Sequence, residues 1–112
     1  MEKHDYLESI LNQYGQYVFG KWCAPKDGIY IGRGSQFGNP FPMKSEADRV
    51  KVCLQYHNYL REKVKDPEFR QAVKTLKGKN VVCFCSNGTC SRKEGARYCH
   101  GHVLQYFAHH LQ

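Results

Sequence analysis

The chain has 112 residues, the length of a single domain with room for one hydrophobic core. Hydrophobic residues make up 41% and charged residues 24%, a globular composition that excludes wholesale disorder. Lysine and arginine outnumber the acids 17 to 10, for a formal charge of +7, which favours an anionic partner over a cationic one.

The first eight residues are charged and carry no apolar stretch, so no secretory leader is expected. Leu7, Ile10, Leu11 and Tyr14 recur at helical spacing and predict an amphipathic helix over 5–14, ended by Gly15. Tyr17, Val18, Phe19 and Trp22 suit a strand within 16–23. Pro25-Lys26-Asp27-Gly28 is turn chemistry and Ile29-Tyr30-Ile31 follows as a second strand, so the two are expected to form a hairpin. Residues 32–41, with three glycines, an asparagine and a proline, form an ordered loop that Pro42 extends. Ser45 with Asp48 three residues on resembles a capping box. Val50, Cys53, Leu54, His57, Leu60 and Val64 line one face of the helix behind it.

Asp66-Pro67-Glu68 restarts the chain with an N-cap, a proline at the first helical position and an acid in the first turn. Phe69, Ala72, Val73 and Leu76 face inward, and Gly78 closes that helix. Residues 81–85 are an unbroken apolar run, as in a strand buried on both faces, and far too short to cross a bilayer. An irregular loop over 86–98 leads to a last helix marked by Val103, Leu104, Phe107, Ala108 and Leu111.

The order αββααβα, with no repeat, low-complexity tract or linker, specifies one α/β domain over 1–112. The expected architecture has two or three layers, with a short mixed sheet of about three strands packed by about four helices. Six cysteines in a chain without an export signal read as reduced thiols, metal ligands or reactive groups, which places the protein in the cytoplasm.

Ligands of open α/β sheets gather beyond the carboxyl ends of the strands. Two segments leave a strand in that direction, 32–41 after the second strand and 86–102 after the third. If those strands are parallel neighbours, both segments converge on one crevice. In the first, Gly32, Gly34 and Gly38 let backbone approach a ligand closely, and Arg33 offers a planar charged fork for phosphate or carboxylate. Ser35 and Asn39 add neutral polar contacts. The segment is neither a P-loop nor a dinucleotide fingerprint, and a tight structural loop explains it as well as a binding loop does. Phe37 and Phe41 read as packing residues, although an aromatic beside arginine can stack a base.

The second segment gathers Cys83, Cys85, Cys90, Cys99, His100 and His102. On a strand, Cys83 and Cys85 point to the same face, and Cys99 precedes a helix whose positive end favours a thiolate. At most four of the six can close a tetrahedral zinc site. A catalytic thiol assisted by histidine, drawn from Cys85, Cys99 and His100, is a second reading, and structural cysteines are a third. Cys23 and Cys53 read as small core residues, His57 as a satisfied helix histidine, and His109 and His110 as solvated.

Tyr30-Ile31-Gly32-Arg33, the stretch from Ser35 to Phe41, Leu76-Lys77-Gly78-Lys79, Cys83-Phe84-Cys85 and the stretch from Cys99 to Leu104 resemble the small phage and bacterial proteins grouped as domain of unknown function family 4326. The likeness covers about 29–107, with the first 28 residues loosely included. It implies that Arg33, Ser35, Gly38, Asn39, Cys83, Cys85, Cys99 and His100 belong to a shared site, without implying an activity. Phe37 and Phe84 replace tryptophans of the family pattern, His102 replaces an acid, and the loop carrying Cys90 is longer than usual.

Two functions compete on these residues. One is binding of a nucleotide- or nucleoside-like anion, with or without catalysis, where Gly32, Arg33, Ser35, Gly38 and Asn39 hold the ligand beside the cysteines and histidines. The other is a zinc-stabilised, non-catalytic module that grips nucleic acid or a host protein, as a phage accessory or inhibitor protein in the cytoplasm of its bacterial host.

Overall fold

Helix α1 (Asp5–Tyr14) forms where periodicity places it, and its inward stripe Leu7, Ile10 and Tyr14 is buried. The structure is a computed structural model describing residues 5–19, 26–32, 34–41, 45–82 and 99–111. After α1, a 3-10 turn over Gly15–Tyr17 delivers the chain to strand β1 (Val18–Phe19). Strand β2 (Ile29–Tyr30) leads into the glycine-rich turns, and a 3-10 turn over Glu46–Asp48 precedes helix α2 (Arg49–Lys63). Helix α3 (Pro67–Lys74), strand β3 (Val81–Val82) and helix α4 (His100–His110) follow. Among the described residues, four helices and a three-stranded sheet make the expected small α/β domain.

Two helix starts test the capping chemistry. At α3 the expectation holds, because Asp66 Oδ1 accepts the Glu68 N–H at 3.1 Å and Pro67 stands at the first position. At α2 it does not. The Ser45 carbonyl accepts the Asp48 N–H at 3.1 Å and closes a 3-10 turn, and the N-cap of α2 is Asp48, without a capping bond from its side chain. The Ser45–Asp48 pair therefore folds the turn before the helix rather than the helix end itself.

The strand directions also differ from expectation. The sheet order is β1-β3-β2 and both pairings are parallel, with Val18 and Ile29 each opposite Val81. The first two strands thus form no hairpin, and the sheet is parallel rather than mixed. The reason lies in burial. Val81 and Val82 are 0% and 7% exposed and suit a strand covered on both faces, whereas Ile29 and Tyr30, at 36% and 42%, suit an edge. Ile31 continues the β2–β3 ladder by donating its N–H to the Val82 carbonyl at 2.8 Å.

Helix α4 packs against α1, α2 and α3, and all of its residues from His100 to Gln105 are buried. Gln105 ties it to the approach to β3, its Nε2 donating to the Leu76 carbonyl at 2.8 Å and the Lys79 carbonyl at 2.9 Å. An aromatic and imidazole layer joins α4 to α1 and α2. Tyr6 is bonded to His57 Nδ1 at 2.8 Å, and burial together with nearby Arg61 holds His57 below the usual histidine range. His57 is the satisfied helix histidine expected. His110 is exposed, as the solvated reading has it, whereas His109 is half-buried and departs from it. His109 stacks on Tyr17 with Nδ1 on the Gln105 carbonyl at 2.9 Å, and His110 lies 4.4 Å from the Tyr106 ring with Nε2 3.2 Å from the Tyr14 hydroxyl. Their helical phase brings them against α1. Cys53 is a buried core residue, as expected. Among the described residues, no helix is long and apolar enough to cross a membrane.

Candidate functional site

The parallel pairing of β2 with β3 sends both strands out of the same edge of the sheet, which is what convergence of the two motif segments requires. From β2 the chain enters two successive turns. The Gly32 carbonyl accepts the Ser35 N–H at 3.1 Å and the Ser35 hydroxyl at 2.7 Å, and the Ser35 carbonyl then accepts the Gly38 N–H at 3.1 Å. Gly34 has φ +92°, a left-handed conformation that favours glycine, and beyond its two chain neighbours none of the described residues lies within 4 Å of the place a side chain would take.

Asn39 anchors the far end. Its Oδ1 accepts the Phe41 N–H at 2.9 Å, and its Nδ2 donates to the Val52 carbonyl of α2 at 3.4 Å. Phe37 is buried against Phe69, with ring centres 5.9 Å apart, and Phe41 packs edge-on to Tyr59. Both serve packing, as their sequence context suggests.

The second wall is the start of α4. Cys99 is its N-cap in extended conformation, and its Sγ accepts the Gly101 N–H at 3.3 Å. In return His102 Nδ1 accepts the Cys99 N–H at 3.0 Å, so a thiol and an imidazole perform the exchange usually made by a hydroxyl and a carboxylate. Because Nδ1 is the acceptor, the neutral ring carries its proton on Nε2. A metal on Nε2 would require that proton to move and the bond to Cys99 to break.

Three contacts bring the walls together. His100 Nε2 donates to the Ile31 carbonyl at 2.6 Å, tying the first residue of α4 to the entrance of the glycine turns. The Tyr56 hydroxyl of α2 donates to the Phe37 carbonyl at 2.6 Å, and the Tyr56 ring stands edge-on to the His100 ring at 5.1 Å. Gly101 fits against the sheet, where an added Cβ would lie 3.0 Å from Val18 Cγ1, 3.1 Å from Ile31 Cδ1 and 3.3 Å from Cys99 Sγ.

All three of those neighbours are themselves buried. Gly101→Ala should therefore lower the urea midpoint by the equivalent of about 1 kcal/mol, because overpacking outweighs the gain in helix propensity. A midpoint that rose would show that the contact relaxes freely.

Of the residues singled out in the sequence, Gly32, Ser35, Gly38, Asn39, Cys99, His100 and His102 lie on these two walls. Arg33, Cys83, Cys85 and Cys90 fall outside the described residues, as does Cys23. Among the described residues no group of three His, Cys, Asp or Glu side chains is placed to hold a metal ion.

Tyr56 and Arg49, like Val52 and Gln105, are buried residues that the sequence reading passed over. Tyr56, fully buried, carries the contact between the walls, and Arg49, 1% exposed, lies seven residues earlier on the same helical face. The only signal for either was that helical phase, because neither side chain is apolar throughout. Outside the walls, Ser35 and Gln36 also border an open groove of about 420 Å³ with Tyr59, Lys63, Glu68 and Phe69, where Lys63 Nζ sits 5.4 Å from the Phe69 ring centre.

The family model described as a domain of unknown function (DUF4326) matches residues 9–110. The chain belongs to this family. The DUF4326 match takes in most of α1 as well as both walls, and so reaches further toward the N-terminus than the motif likeness over 29–107. Comparison with curated proteins and with solved structures gives no match. Membership in DUF4326 assigns no activity.

Proposed function

We propose that this protein binds a nucleotide- or nucleoside-like anion on the glycine turns that follow β2, beside the start of α4. The observation that carries the reading is the bond from His100 Nε2 to the Ile31 carbonyl, which holds the glycine turns and the Cys99–His102 segment as one structure. The charge of +7 is consistent with an anionic partner. Gly34 is exposed, and Arg33 beside it in sequence carries a guanidinium fork suited to a phosphate, while the Ser35 hydroxyl is spent on the Gly32 carbonyl. Asn39, with both amide groups engaged, fixes the shape of the turns on which the ligand rests.

Cys99 and His100 enter this reading as the wall of the site. His100 is 2% exposed and committed through Nε2, so its role is to position the turn. Catalysis, if the protein performs any, falls to groups that reach the ligand from this wall.

Thermal denaturation in the presence of a nucleotide panel tests the reading. A ligand at a hundred times its dissociation constant stabilises the fold by about 2.7 kcal/mol, several degrees for a domain of this size. That shift should appear with at least one nucleotide and disappear in Arg33→Ala. A flat response across nucleoside mono-, di- and triphosphates and ribose 5-phosphate overturns the proposal.

A further inference from the structure

We infer that Tyr30 is the residue on which the base of such a ligand stacks, so that the base lies along the outer edge of β2 and the phosphate points into the glycine turns. The inference rests on the proposed function and adds the orientation of the ligand and the residue that reads its ring.

Four observations converge on Tyr30. It is the last residue of β2, an edge strand, at the end of the sheet where the glycine turns begin. Its ring folds forward over the turn, because a Cβ on Gly32 would lie 2.6 Å from both Cε1 and Cζ of Tyr30. The ring therefore occupies the space that a side chain at Gly32 would claim, and the absence of one lets the aromatic plane lie against the backbone. It nevertheless remains 42% exposed, one of only two large hydrophobic residues left exposed among those described. Finally, the aromatic residues of the loop itself are packed away, since Phe37 is 6% exposed against Phe69 and Phe41 lies edge-on to Tyr59.

An exposed ring pinned along one side by glycine backbone is a preorganised platform. It loses little freedom when a flat heterocycle covers its outer face, and stacking of this kind accepts any base while favouring the larger purines. The Gly32 carbonyl is saturated by the two donors of Ser35, so the floor beneath the ring is fixed before a ligand arrives. Gly34, two residues on, is open and is where the anion sits.

The test measures dissociation constants of AMP, CMP and ribose 5-phosphate for the full chain and for Tyr30→Phe and Tyr30→Leu. Leucine keeps an apolar cover over Gly32 without the aromatic face, and phenylalanine keeps the face without the hydroxyl. The expected result is that Tyr30→Leu weakens AMP about tenfold and narrows the preference of AMP over CMP. Tyr30→Phe should stay within about threefold of the parent, because the aromatic face that carries the stacking is retained. Ribose 5-phosphate, which has no ring to stack, should bind all three proteins alike. Nucleotide binding that is undiminished in Tyr30→Leu overturns this inference and leaves the proposed function standing. Equal weakening of AMP and ribose 5-phosphate also overturns it, since Tyr30 would then merely shape the turn. A parent protein that binds none of the three overturns both.

Discussion

Replacing Tyr56 by alanine is expected to destabilise the fold by about 4 kcal/mol, in the range of large-to-small substitutions of aromatic core residues. Tyr56 is fully buried, and its removal opens a cavity between α2, the glycine turns and the His100 ring. It also strips the Phe37 carbonyl of the hydroxyl that donates to it at 2.6 Å. The two losses can be separated. Tyr56→Phe keeps the ring and leaves the carbonyl without its donor, and should cost about 1.5 kcal/mol. Urea unfolding of both variants, with unchanged slope, reads the difference as the contribution of the ring. Equal losses for phenylalanine and alanine would mean that the hydroxyl alone matters and that the cavity collapses without cost.

The second large effect is at His100. His100→Ala should cost about 3 kcal/mol, combining a lost buried side chain with an Ile31 carbonyl deprived of its donor. This carbonyl sits where β2 gives way to the glycine turns, so the damage should spread beyond local stability. Amide exchange at Ile31 and Gly32 is expected to accelerate more than exchange in α1, whose Tyr6 and Tyr14 meet α4 at Tyr106, His109 and His110. His100→Gln restores an N–H donor on a side chain of similar reach and should recover part of the loss. A variant as stable as the parent, with unaltered exchange at Ile31, would remove His100 as the link between the walls.

Much of this architecture was legible in the residues, for reasons that differ by element. Helix α1 was placed with its boundaries because Leu7, Ile10 and Tyr14 repeat at helical spacing and glycine follows at position 15. Helix α3 was legible from Asp66-Pro67-Glu68, where each residue has a positional preference with a local cause. The glycine turns were legible as a loop from three glycines, an asparagine and a proline, and the structure gives the cause in the positive φ of Gly34 and the bond from the Phe41 N–H to Asn39 Oδ1.

Strand order was not legible. Periodicity reports which face of an element is covered but not which strand lies beside it, and turn residues before Ile29 suggested a hairpin where the chain instead crosses over. At α2 the apolar pattern picked out Val50, Cys53 and Leu60 correctly but passed over Arg49 and Tyr56, which are buried through polar ends that a hydrophobicity pattern discounts. The candidate site shows the same division. Residue types located the two segments, while the contact that joins them, a histidine on a main-chain carbonyl, leaves no trace in composition or spacing.

The placement of β3 between β1 and β2 has a consequence for how the molecule assembles. Neither outer strand hydrogen-bonds to the other, and both wait for a segment that enters the chain after α2 and α3. During synthesis the first two strands therefore emerge without a partner, and the sheet closes in one late event when Val81 and Val82 slot between them. Such distant pairings are slow to form, because the entropy of closing long loops is spent before any ladder exists. Until that moment the glycine turns have no β3 to anchor Ile31 and no α4 to receive them.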